Sequence, residues 1–168
     1  MKIDFIVISS VLVFISFLPF ILLPILGAKD KKNLFKSFKE TSLKLGINSS
    51  YILQWNANIA SIDILKKQFL FVQRPENEII THHVNLTQVK EVKMTINTAE
   101  YKLQKKVMQS LSRVDLEFFN HNSKKPVIVN VFDNNLNYTE DLEIKNAQKL
   151  LVELQKYINA QPLLRHTA

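Results

Sequence analysis

The chain contains no cysteine. That removes disulfides, thiolate metal ligands and cysteine nucleophiles, and leaves the redox compartment undecided. Glycine is almost as scarce: Gly27 and Gly46 are the two in 168 residues, and none follows Gly46. Phosphate-cradling loops, dinucleotide fingerprints and nucleophile elbows need glycine for close backbone approach or positive φ, so none can be drawn beyond that point. Tight turns must use asparagine and aspartate instead, as at Asn120-His121-Asn122 and Asp133-Asn134-Asn135.

Charge is missing from one long stretch, Phe5 to Gly27, which is 23 residues. About 20 apolar residues suffice for a helix to cross a hydrocarbon core. The run exceeds the roughly 7–15 apolar residues of a signal peptide, and Leu26 would occupy the small-residue site for cleavage after Ala28. It therefore reads as an uncleaved single transmembrane anchor, residues 1–28. Residues 1–45 carry +4 of the net +7, with Lys29, Lys31, Lys32, Lys36 and Lys39 just after the run. The positive-inside tendency puts that side in the cytoplasm, so the expected localisation is the cell membrane, single-pass, N-terminus outside and the C-terminal domain cytoplasmic. The five lysines are candidates for membrane-surface contact. The rest of the chain shows no basic stripe interleaved with aromatics, which argues against nucleic acid.

Residues 29–46 form a basic amphipathic juxtamembrane helix, with Leu34, Phe35, Phe38 and Leu45 on one face and Gly46 at its C-cap. Two roles stay open for it: packing on the domain, or lying against lipid headgroups. From 47 to 161 the patterns predict strands at about Asn58–Ile64, Gln68–Gln73 and Glu78–Val84, the later part of NLTQVKEVKMTI, SRVDLEFF and VIVNVFD. Trp55 enters the first of them and reads as a core or domain-edge anchor. Thr98 to Ser110 is a short helix or a loop. Residues 139–160 form an amphipathic helix, capped by Thr139 and carrying Leu142, Ala147, Leu150, Leu151, Leu154 and Ile158 on its apolar stripe. Residues 162–168 are a frayed tail.

Candidate chemistry is thin. His82 and His83 are adjacent on a strand and point to opposite faces, so they cannot chelate one ion. Asp115 and Glu117 share an outward face with Arg113, which favours ion pairing over acid–base work. Asp63 reads as a turn or edge residue. No catalytic residue, metal site or cofactor is expected.

Strands closed by one C-terminal amphipathic helix give an element order that resembles pleckstrin-homology-like domains. IDILKKQFLFV looks like the first hairpin of bacterial members, and HVNLTQVKEV like the third strand turning into the fourth. The whole layout is similar to uncharacterised membrane-anchored bacterial proteins with a tryptophan before the first strand. The resemblance implies a binding scaffold of α+β class, a six- to seven-stranded antiparallel sheet or barrel capped by the helix. It also implies a ligand hairpin at Lys66 and Lys67, where eukaryotic relatives grip phosphoinositides, though the fuller basic cluster of that loop is absent here. The expected function is a non-catalytic single-pass membrane protein presenting this binding domain at the cytoplasmic face. Its partners would be the membrane and a protein or peptide, with anionic lipid headgroups a further candidate. The alternative is a small structural or accessory subunit of a membrane complex, associating through its transmembrane helix.

Overall fold

The computed structural model describes residues 2–75, 78–103, 106–136 and 142–159, with side chains at 7–20, 30–75, 78–100, 108–136 and 142–158. Helix α1 runs without a break from Lys2 to Leu45. Seven strands follow: β1 (Tyr51–Trp55), β2 (Asn58–Asp63), β3 (Gln68–Gln73), β4 (Ile80–Asn85), β5 (Val89–Leu103), β6 (Lys106–Asn120) and β7 (Val127–Asp133). A 3-10 turn at Leu86–Gln88 separates β4 from β5, and helix α2 (Glu143–Asn159) closes the order. The fold is α+β, with two antiparallel sheets ordered β1-β2-β3-β4 and β5-β6-β7.

The expected transmembrane span is overturned. Among the described residues no helix is long and apolar enough to cross a membrane. The single-pass cell-membrane localisation and its orientation rested on that span and are withdrawn with it. The division into an anchor and a separate juxtamembrane helix also disappears, since one helix covers both.

The C-terminal part of α1 belongs to the domain. Leu34 and Phe38 are 1% and 4% exposed and form a small core with Ile47, Ile59, Leu70 and Val72. Of the two roles open for this segment, packing is the one observed. It explains why the centre of QFLFVQ, Phe69 to Val72, is apolar throughout rather than alternating. Phe69 and Phe71 face the main core, while Leu70 and Val72 lie under α1, so both faces of β3 are covered. The helix ends in a two-bond cap. Gly46 N–H donates to the Leu43 carbonyl at 3.1 Å, and Ile47 N–H donates to the Ser42 carbonyl at 2.9 Å. Gly46 takes φ +61° there, the left-handed conformation that such a stop requires.

The main core lies between the sheets and α2. Val114, Leu116 and Phe118 of β6 point inward, as their alternation predicts, and Phe118 stacks on Phe69 at 5.3 Å. Ala147, Leu150 and Leu154 of α2 cover the same core. Leu142 departs from the expected stripe: it precedes the helix, takes φ +57° and is exposed. Thr139 lies outside the described residues, as does the tail. With no glycine available, asparagine supplies the tight turn between β1 and β2, where Asn56 adopts φ +45°. Lys67 does the same at φ +50° in the β2–β3 turn, a conformation costing about 1 kcal/mol or more for such a residue.

Thr98 to Ser110 is neither helix nor loop. It is the outer part of a β5–β6 hairpin paired as far as Leu103↔Lys106. Its strand pattern is weak because side chains such as Ala99, Glu100, Met108 and Gln109 are exposed, so no face is selected for apolar residues.

Phe38→Ala is expected to cost about 3–5 kcal/mol, as for other buried phenylalanines. Half-exposed Phe35→Ala should cost well under that. Urea unfolding followed through the lone Trp55 measures both.

Candidate functional site

The residues most worth testing as a site lie where the β2–β3 turn meets the end of α1. Asp63 closes β2 at 1% exposure, and its carboxylate accepts the backbone N–H of Asn48 at 2.7 Å and of Lys66 at 2.9 Å. Burial alone would raise its pKa. The N–H donors of Lys66, Asn48 and Leu65, with the Lys66 charge, outweigh that and hold the group below its usual value. Lys66 turns back so that its Nζ donates to the Gly46 carbonyl, and the Lys67 carbonyl accepts the Leu86 N–H at 2.8 Å. The expected ligand hairpin is therefore built as a clasp: Lys66 satisfies the end of a helix, and Asp63 ties the turn to the segment that follows it.

A second junction joins the start of α2 to the β1–β2 turn. The Glu143 carboxylate, 3% exposed, accepts Trp55 Nε1–H and, at 2.8 Å, Asn56 Nδ2–H. Its place in the first turn of α2 suits a negative charge. The sequence assigns Trp55 to packing, but Trp55 and Glu143 are 88 residues apart and nothing local couples them. Beside this junction a cleft of about 300 Å³ is lined by Leu111, Leu142, Glu143, Ile144, Lys145 and Gln148.

The candidate surface lysines do not converge on one pocket. Lys31, Lys32, Lys36 and Lys39 are exposed on α1, and the side chain of Lys29 lies outside the described ones. Lys36 pairs with Glu40 at 3.9 Å. Arg74, from the loop after β3, pairs with Asp30 at 2.7 Å and ties α1 to the sheet a second time. Lys36, Glu40 and Arg74 border an open cleft of about 340 Å³ with Asn33, Ser37 and Ile79. Each of its cations already has a carboxylate, so it presents no concentrated positive charge.

The two histidines diverge. His82, half-buried beside Phe71, has its pKa pushed down by burial, while His83 donates from Nε2 to Gln68 Oε1 at 2.6 Å on the other face. Among the described residues no three His, Asp or Glu side chains gather to hold a metal ion. Asp115 accepts Arg113 Nε–H at 2.6 Å and Asn130 Nδ2–H at 2.9 Å, whereas Glu117 accepts the Thr95 hydroxyl at 2.8 Å. The Asp115 hydrogen bond keeps the Arg113 guanidinium protonated more firmly than usual.

Two measurements probe these junctions. The depressed pKa of Asp63 means that its stabilising contribution is complete above the unfolded carboxylate value near 3.8 and is lost as pH falls through the lower folded value. Asp63→Asn should therefore lower stability at pH 7 and flatten the acid limb of a stability-versus-pH curve below about pH 4. Glu143→Ala removes a buried acceptor from two N–H donors and should cost about 1–3 kcal/mol, with a shift in Trp55 emission. Comparison of the chain with protein-family models, with curated proteins and with solved structures finds no match.

Proposed function

We propose that this chain is a non-catalytic binding protein, a pleckstrin-homology-like module carried on one end of a long helix, with a protein or peptide as its partner. The reading is supported by how the fold uses its buried acids. Asp63, Asp115 and Glu143 are the buried carboxylates among the described residues, and each is held by donors of the chain's own turns and strands. Groups committed in this way stabilise a scaffold and are not poised for proton transfer. The family reading rests on the resemblance of IDILKKQFLFV and HVNLTQVKEV, whose residues lie in β2–β3 and β4–β5. Lipid-headgroup binding at Lys66 is disfavoured, because that ammonium already serves the end of α1.

A second reading has its own support. In α1, Val11, Leu12, Phe14, Phe17 and Phe20 are exposed, the last at 74%. Large apolar side chains on all sides of a helix call for an apolar surface to cover them. The chain would then be an accessory subunit that associates through this helix.

Exchanging residues 7–20 for an unrelated apolar helix of equal length separates the readings. If the sheets and α2 bind the partner, the exchanged chain still co-purifies with it. Loss of the partner, with Trp55 emission unchanged, transfers the contact to the helix. Turnover of a small molecule by the purified chain would remove both.

A further inference from the structure

Between residues 7 and 20, α1 exposes large apolar side chains on every side, from Leu18 at 38% to Phe20 at 74%. This stretch carries no charge, yet its surface is not uniform. Ser9, Ser10, Val13, Phe14 and Phe17 line an open groove of about 410 Å³ along one side. The groove is small-walled at its Ser9–Ser10 end and large-walled at its Phe17 end. At 3.6 residues per turn, Lys31 lies about five turns beyond Val13 and therefore on the same side of the helix. Val11 and Ile15 lie on the other side.

Size and charge together decide how a second helix can lie in that groove. Two copies side by side in the same direction set Phe17 against Phe17 and leave a gap where Ser9 faces Ser9. They also bring Lys31 against Lys31 at a helix spacing of about 8–10 Å, within one Debye length, where like charges repel. Two copies in opposite directions, about a twofold axis beside Val13, set Phe17 of each over the Ser9–Ser10 end of the other. Large then meets small in both layers, as close packing requires. The two Lys31 residues stand about 54 Å apart along the helices at 1.5 Å per residue, where salt screens them. The paired stretch ends before Asp30, where Arg74 ties α1 to the sheet, so the docked part of each helix stays outside the pair. We propose that residues 7–20 of α1 pair antiparallel with the same segment of a second copy. The contact is isologous, as most dimer contacts are. It rests on the second reading above, association through α1, and names this chain as the occupant.

The absence of cysteine makes the pairing readable by cross-linking. A tagged full chain with Ser9→Cys, co-expressed with an untagged full chain with Phe17→Cys and treated with a short bismaleimide, should give mainly the mixed cross-linked dimer. Ser9→Cys alone should link to itself several-fold less. Adding Val13→Lys to both chains should cut the mixed product by about tenfold or more, because it sets like charges at the axis. Adding Val11→Lys in its place should leave the product within about twofold, since that valine is similarly exposed, 51% against 57%, but lies on the other side. Unchanged Trp55 emission checks that the domain is folded in every variant. Self-linking of Ser9→Cys in place of the mixed product, no product at all, or equal loss with Val11→Lys would each overturn the proposal. If no product forms here and exchange of residues 7–20 still loses a partner, association through α1 stands without self-pairing.

Discussion

Everything else in this structure depends on the outer face of β2 and β3 being covered by α1. Ile59, Leu70 and Val72 would otherwise lie open on a sheet whose opposite face already packs against the main core. Fully burying each such side chain contributes about 1.5–3 kcal/mol, and Leu34 and Phe38 supply the apolar surface that does so. The polar contacts around this patch act as its fasteners. Ser42 donates its hydroxyl to the Ile47 carbonyl at 2.9 Å, Lys66 reaches Gly46, Asp63 holds Asn48, and Arg74 holds Asp30. The helix capped at Gly46 and packed along residues 34–42 continues unbroken back to Lys2, and most of its side chains between residues 7 and 20 are exposed.

This arrangement changes the meaning of the β2–β3 turn. Two lysines on a hairpin invite a ligand, yet here the first completes a helix end and the second bends the backbone through φ +50°. The turn therefore couples helix to sheet. Any partner that engaged it would act on the clasp itself, and through it on where α1 points.

Much of the β framework was legible because one face of each strand is apolar. Val114, Leu116 and Phe118 alternate and point inward, and β3 is bounded by Gln68 and Gln73 on either side of the apolar run Phe69–Val72. The helix α2 was legible from Ala147, Leu150 and Leu154. β1 was missed: Tyr51, Leu53 and Trp55 face the core, but Ile52 on the other face is also apolar and hides the alternation. The hairpin tip was missed because its exposed side chains carry no pattern. The candidate site was legible only as residue types. Asp63 and Lys66 are three residues apart and meet for local reasons, while Trp55 and Glu143 meet only through the packing of α2 across the core. The apolar run at Phe5–Gly27 misled most, since composition alone cannot say where one helix ends and its docked continuation begins.

The central claim is that residues 34–45 of α1 are part of the folded domain. Native-state hydrogen exchange tests it directly, because a docked helix opens only with the unit it stabilises. The amides from Phe38 to Leu45 should exchange as slowly as those of β2 and β3, and should speed up together with them in mild denaturant. Exchange at the rate of an isolated helix, while β2 and β3 stay protected, would contradict the account.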